Sequence, residues 1–450
     1  MIHKYKLNGM NIVLDVDTST VLTVDDLTYA LMDGYPEKTR NELIEDFAES
    51  YSREEIGECL DELDSLKAEG LLFTEIKYQK DHYANGDLIK SMCLHVAHDC
   101  NLKCNYCFAA QGDFDGEKML MPLEVGKKAI DFIVTQSKNR ENLEIDFFGG
   151  EPLMNLDVVK QLVVYGNEMA EKHHKKFKYT MTTNGVLLDA ETREYLNETM
   201  DNIVLSLDGR KEVNDRMRQT VNDKGSFDVI INNIKAMAEL RGDRDHYVRG
   251  TYTHYNLDFS KDVQFLAEQG FKSISVEPVV SESSKGYAIT EADLPVIMEE
   301  YDKLALSYLK RHEDGLHYNF FHFNVDLDQG PCVYKRLSGC GAGRDYVAVT
   351  PEGDVYPCHQ FVGNEIFKMG DVFRGIENTE IRKEFEAGNL LEKEACTECW
   401  CKYFCGGGCH ANAYNFNGTI MKPHNVSCEI ERRRVENAIM ISIVEESEQA

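Results

Sequence analysis

Positive charge is what this chain of 450 residues is short of: 49 Lys and Arg stand against 78 Asp and Glu, a net charge of −29. That balance argues against a nucleic-acid binder, which neutralises phosphates with Lys and Arg. It equally disfavours an anionic membrane surface as a partner. Long apolar runs are missing as well. No stretch approaches the ~20 apolar residues of a membrane helix, and Met1 to Met10 carry no secretory signal pattern. The expectation is a cytoplasmic protein whose thiols stay reduced. Internal repeats and low-complexity tracts are also absent, and the length predicts several domains rather than one.

Cysteine, by contrast, is plentiful, with fourteen residues. Cys100, Cys104 and Cys107 stand at CX3CX2C spacing directly after the apolar, strand-like segment Met92 to Ala97. Three closely spaced thiolates can hold three irons of a 4Fe-4S cube and leave the fourth iron open to a substrate or cofactor. Disulfides fit a reducing compartment poorly. Zinc commonly takes four ligands as paired CX2C units, and no fourth ligand accompanies Cys107. Buried small hydrophobes are the remaining bland reading.

A second strand-like stretch, Leu143 to Phe148, ends in Gly149-Gly150-Glu151-Pro152, where glycines let the backbone approach a ligand. Phe177 to Thr183, Asn202 to Leu207, Tyr247 to Thr253 and Ser273 to Val280 are further β-rich runs, separated by charged amphipathic stretches. This alternation predicts an α/β fold with a parallel sheet, whose ligands sit at the carboxyl ends of the strands. The C-terminal third holds Cys340 and Cys358 as CX12GX4C around Gly353, then Cys396, Cys399, Cys405 and Cys409 as CX2CX5CX3C, then Cys428. A zinc ribbon is the plain alternative for one CX2C pair, but seven cysteines exceed one tetrahedral site.

Residues 1 to 85 read as a separate module. Ile2 to Asn11 and Asn11 to Leu22 alternate like a small antiparallel sheet; Thr23 and Ser52 look like helix starts with capping side chains; Leu60, Leu63 and Leu66 suit an amphipathic helix. Strands plus three helices predict a winged-helix-like fold. The segment is acidic, with Asp and Glu outnumbering Lys and Arg more than twofold, so DNA is not the expected partner. Gln79 to Leu88 is the linker candidate, and Asp314 to Gly330 is a second connecting stretch.

The CX3CX2C motif, with Tyr106 before its last cysteine, and the GGEP motif at Gly149, Gly150, Glu151 and Pro152 resemble those of the radical S-adenosylmethionine (SAM) enzymes. The resemblance implies a partial (β/α)6 barrel over residues 86–313. It makes Cys100, Cys104 and Cys107 the catalytic cluster ligands and the GGEP segment the contact for the SAM amino group. Tyr106, Asn184, Ser206 and Arg218 become further SAM-pocket residues. The seven-cysteine order resembles the SPASM domain, here residues 336–450, with 314–335 bridging. That resemblance implies two auxiliary clusters, one on Cys340, Cys358 and Cys409, and one on Cys396, Cys399, Cys405 and Cys428. Three 4Fe-4S clusters result. Cys332 is the candidate fourth ligand of the first auxiliary cluster; without it, an open iron there could take a substrate thiolate. Cys59 and Cys93 read as buried apolar residues, and Cys401 has no assigned role.

The N-terminal module resembles the domain with which peptide-modifying enzymes bind a leader, the leader adding a strand to the sheet edge. An accessory domain or a dimer contact is the structural alternative. The whole set is most similar to the thioether-forming maturases of sactipeptide and six-cysteine (SCIFF) precursors. The implied partners are a cysteine-rich precursor peptide and a low-potential donor of flavodoxin or ferredoxin type. The implied reaction removes a hydrogen with the 5′-deoxyadenosyl radical and joins a cysteine sulfur to that carbon, an auxiliary cluster accepting the remaining electron. An anaerobic sulfatase maturase, forming formylglycine, shares both signatures but carries an aspartate after the cysteine equivalent to Cys358, where this chain has His359. A non-catalytic peptide-binding or electron-transfer protein is the third reading.

Overall fold

The computed structural model of the chain describes residues 1–74, 88–327 and 337–449. The linker candidate at Gln79 to Leu88 lies outside the described residues except for Leu88, and Cys332 lies outside them too. Three antiparallel strands open the chain, β1 (Ile2–Leu7), β2 (Met10–Asp15) and β3 (Val21–Val24). Three helices follow, α1 (Asp26–Leu31), α2 (Arg40–Phe47) and α3 (Arg53–Ala68). Alternation along β2 sends Val13 into a core with Leu27, Leu43, Ile56 and Leu60, while Ile12 and Leu14 join the main core on the opposite face. A sheet buried on both faces is thereby held between its own helices and the rest of the molecule.

Ser52 caps α3 in a reciprocal box with Glu55, and Thr39 does the same for α2 with Glu42; each such cap contributes about 1 kcal/mol. The first helix start falls two residues later than expected. Thr23 and Val24 still belong to β3, and Asp25 is the residue whose side chain accepts from the Thr28 N–H.

From residue 88 onward the main sheet is built chiefly of parallel strands. β4 (Ser91–His98) is buried at every position, and β5 (Leu102–Cys104) and β6 (Met119–Leu120) flank the loop that follows it. β4 pairs in parallel with β7 (Asn142–Gly149), which pairs with β8 (Lys176–Thr183), then β9 (Asn202–Ser206), then β11 (His246–Tyr252) and β12 (Ser273–Pro278). The short β10 (Arg218–Thr220) lies off this sheet and pairs with β5. Each crossover carries helix, among them α4 (Leu123–Gln136) and α5 (Leu156–His173), whose apolar faces pack together outside β4 and β7. Six parallel strands with outer helices make the partial (β/α)6 barrel that the motif resemblance implies.

The expected bridging stretch is in part barrel. Asn319–Phe320 forms β13, parallel to β12, because Phe320 and Phe323 are buried in the main core. At the opposite edge, β14 (Tyr346–Val349) pairs in parallel with β4 and continues antiparallel into β15 (Asp354–Tyr356), β16 (Gly370–Asp371) and β17 (Gly375–Ile376). Cys340 and Cys358 therefore flank an extension of the barrel sheet itself, while the later cysteines lie in the helical segment that follows. The last helix, Asn425–Gln449, packs against the helix Leu294–Glu313 and also receives β1, with Tyr5 donating to the Glu436 carbonyl at 3.0 Å. Among the described residues no helix is long and apolar enough to cross a membrane.

Candidate active site

The carboxyl ends of β4, β7, β8 and β9 converge on the first cysteine motif. Directly after β4, the Asp99 carboxylate accepts the Cys100 N–H at 2.9 Å. The loop is then stitched to a distant segment: Cys104 in β5 faces Arg218 in β10, and the Asn105 N–H donates to the Met217 carbonyl at 2.8 Å. Cys107 closes a turn on the Cys104 carbonyl at 3.2 Å. A local motif is thus fixed by a strand pair more than a hundred residues away.

Gly149 and Gly150 sit where no side chain fits. A Cβ at Gly149 would stand 2.1 Å from the Ala97 oxygen, and one at Gly150 would stand 2.2 Å from the Asp99 oxygen. In their place, the Gly150 and Glu151 N–H groups donate to those same carbonyls at 2.8 and 2.9 Å. The GGEP segment is thereby locked to the start of the cysteine loop. Gly112, with positive φ, presses on the Cys100 side chain from the other side; no pattern in the sequence singles it out.

Glu151 is fully buried, and its carboxylate is taken up by the chain's own donors. One oxygen accepts the Leu153 N–H at 3.0 Å and the Thr183 hydroxyl at 2.9 Å; the other accepts the Asn184 N–H at 2.8 Å. Burial pushes its pKa up to about 7. Glu151 therefore braces the end of β8 and aims Asn184, whose amide donates to Asn101 at 2.7 Å and lies 3.7 Å from the Cys100 sulfur.

Behind Cys104, Asp208 is the buried centre of a polar group that no motif in the sequence marks. It accepts from the Tyr106 hydroxyl at 2.6 Å, from Arg218 at 3.0 Å and from the Thr251 N–H at 3.1 Å. Burial pushes the Cys104 thiol up to about 12 against the pull of Arg218, and the Cys100 thiol likewise to about 12. Such thiols stay protonated on their own; a bound metal displaces the proton and supplies the compensating charge. The donor set, the mutual proximity of the thiols and the tight glycine cradle fit an iron–sulfur group here.

These residues line a cavity of about 360 Å³ that includes Gly150, Asn184, Ser206 and Arg218 on one wall. On the other wall stand Glu277, His359 and Cys409. Arg249 and Glu277 form an ion pair on β11 and β12 whose side chains stay open to the cavity. His359 touches the Phe108 and Phe148 rings, and burial lowers its pKa to about 4, so it is neutral at ordinary pH.

The C-terminal thiols fall into two groups. Cys409 and Cys340 both act on Cys358, and Cys409 reaches the cavity just described. Cys396, Cys399, Cys405 and Cys428 line a separate cavity of about 430 Å³, together with Cys401. Cys405 and Cys409 belong to different groups. Between them Gly406, Gly407 and Gly408 all have positive φ, a path that only glycine follows without strain.

Comparison with known proteins agrees with this layout. The family described as a 4Fe-4S single cluster domain matches residues 84–231, and SPASM, an iron-sulfur cluster-binding domain, matches residues 340–400. A cysteine-type anaerobic sulfatase-maturating enzyme of Clostridium novyi is 26% identical over 74% of this chain and 91% of its own. The radical SAM cyclopropyl synthase TigE of Paramaledivibacter caminithermalis is 24% identical over 92% of this chain and 89% of its own. Among solved structures, native anSMEcpe with bound AdoMet has a TM-score of 0.63 at 20% identity, covering 79% of this chain and 98% of that one. Streptococcus suis SuiB bound to its precursor peptide SuiA has a TM-score of 0.55 at 16% identity, covering 94% and 98%.

Proposed function

Because the chain belongs to the radical SAM enzymes that carry a SPASM domain, we propose that it forms thioether links in a cysteine-rich precursor peptide. The observation that carries a peptide substrate with a leader is the extent of the likeness. The sulfatase maturase is matched over 91% of its length within 74% of this chain, whereas the likeness to SuiB, a structure with a precursor peptide bound, runs over 94%. The surplus is the size of the N-terminal sheet and its helices. In this reading residues 1–85 bind the leader, 86–313 form the barrel with β13 added at its edge, the rest of 314–335 connects, and 336–450 carry the auxiliary sites.

When bound, the cluster and SAM supply a one-electron reductive cleavage and with it a hydrogen-atom acceptor. The chain's residues set the stage for that chemistry. Cys100, Cys104 and Cys107 would hold the cluster, three thiolates for four irons, so that SAM could bind at the remaining one. Gly149 and Gly150 keep side chains out of the way of the SAM methionine, with Glu151 and Pro152 fixing the turn. Asn184, Ser206, Tyr106 and Arg218 surround the remaining volume. Cys340, Cys358 and Cys409 would hold one auxiliary cluster beside the cavity, with Cys332 as its candidate fourth ligand or an iron left open to a substrate thiolate; Cys396, Cys399, Cys405 and Cys428 would hold the other, making three in all. A low-potential donor of flavodoxin or ferredoxin type reduces the enzyme. His359 stands where sulfatase maturases have their aspartate, and it lines the cavity as a neutral ring.

A second reading, carbon–carbon bond formation in the precursor, is favoured by the match to TigE over 92% of this chain. One experiment separates the two. Reduced enzyme, SAM and full-length precursor are incubated, and the product is weighed before and after thiol alkylation. Thioether formation removes two hydrogens and one alkylatable thiol per link. Loss of hydrogens with every thiol still alkylated would move the assignment to carbon–carbon chemistry, and an unchanged mass would count against both.

A further inference from the structure

Lys393 is wholly buried in a region built around thiols. Its carbonyl accepts the Cys396 N–H at 2.9 Å, and its Nζ donates to the Gly407 carbonyl at 2.8 Å. Gly407 is the middle of the three left-handed glycines that carry the chain from Cys405 to Cys409, from one auxiliary thiol group to the other. The ammonium therefore stands at the crossover between the groups. Thiols of both groups adjoin it: Cys396 through the Lys393 carbonyl, and Cys405 and Cys409 two residues to either side of Gly407.

A buried ammonium is costly unless it is paired, and one carbonyl does not neutralise it. Thiolates held by iron would carry the missing negative charge from both sides at once. Resting on the reading of these thiols as ligands of two auxiliary clusters, we propose that Lys393 is a shared positioning residue for both, its ammonium raising the reduction potential of each. Reduction of such a cluster adds one electron and no proton, so the new negative charge falls beside a fixed positive one. Net charge and hydrogen bonding near the sulfurs are what set these potentials. Crosslinking by this route leaves one electron over per bond after the hydrogen atom is removed, and a raised potential at both clusters makes either a better acceptor for it.

The test is a redox titration with dithionite, followed by electron paramagnetic resonance, on anaerobically isolated wild type, Lys393→Met and Lys393→Arg, with iron counted in each. The Met variant is expected to lower the potentials of both auxiliary signals and leave that of the Cys100/Cys104/Cys107 cluster in place; the Arg variant stays near wild type. Unchanged auxiliary potentials in a fully loaded Met variant would overturn the proposal, as would a shift confined to one cluster. If the Met variant loses auxiliary iron, full iron in the Arg variant supports the charge role, and loss in both makes Lys393 a packing residue and overturns it. Wild-type iron near four per chain, instead of about twelve, overturns the cluster reading itself and is seen before any variant is made.

Discussion

Arg218 and Asp208 form a buried ion pair at 3.0 Å directly behind Cys104, with the Tyr106 hydroxyl on the same carboxylate. The pair joins the cysteine loop to the ends of β9 and β10, so one carboxylate holds three parts of the site. Asp208→Asn keeps the shape and removes the charge, leaving the Arg218 guanidinium buried without its partner. The expected cost is about 3 kcal/mol, seen as a lower urea midpoint. SAM cleavage should fall while auxiliary iron is retained; unaltered stability and cleavage would show that Arg218 finds another counter-charge.

Gly150→Ala tests the cradle by steric means alone. Its Cβ would meet the Asp99 carbonyl, a backbone atom that cannot swing aside as a flexible side chain does. The cysteine loop must then shift at its first residue. Iron per chain should drop by about four, the content of one cube, with SAM binding lost and the auxiliary signals unchanged. A variant that keeps its full iron and SAM affinity would mean that the loop relaxes freely.

Asp146 on β7 gives the barrel interior a pH signature. Burial raises its pKa from the ordinary carboxylate range to about 6. A carboxyl with a raised folded-state pKa binds more protons in the folded than in the unfolded chain, so its contribution to stability declines as pH rises from about 4 to about 6 and stays low above that. Its side chain is only half-buried by surface area, and solvent screening weakens the effect. Asp146→Asn should flatten the decline by less than about 1 kcal/mol, read from urea midpoints between about pH 4 and about pH 7. An identical slope in the variant would assign the pH dependence to other groups.

The parts of this site that were legible in the sequence are those whose chemistry demands particular residues at fixed spacing. CX3CX2C and GGEP fall at the ends of adjacent strands, and the six barrel strands lie within two residues of their expected limits, because β-rich runs alternate with amphipathic helical stretches along the chain. Asp208, Thr183, Arg249 and Glu277 were not legible. They meet through parallel register across segments far apart in the chain, and no local pattern marks a carboxylate that will be buried. The start at Thr23 was misplaced because Thr and Asp are both good caps, and only the pairing of β3 with β2 decides between them. Cys93 is buried as expected, and Cys401 is buried too, beside Cys399 and Cys405, whereas Cys59 is only partly so.

His3 of β1 stacks on Trp400, ring centroids 3.7 Å apart and planes within 3°, and it bonds Glu436 at 3.1 Å. Trp400 stands between Cys399 and Cys401 and is the chain's single tryptophan. The N-terminal sheet thus rests on the second auxiliary thiol group, and deleting the module would strip Ile12 and Leu14 out of the main core. Leader recognition is therefore better tested by changing the peptide than by truncating the enzyme. A precursor without its leader should be modified about a hundredfold more slowly, since tethering raises the local concentration of the reactive segment by that order. Free leader should leave that rate low while binding the enzyme, and its binding should alter Trp400 emission in wild type but not in His3→Ala. Equal rates with and without the leader would remove peptide recognition from the N-terminal module and leave it a structural support for the cysteine-rich domain.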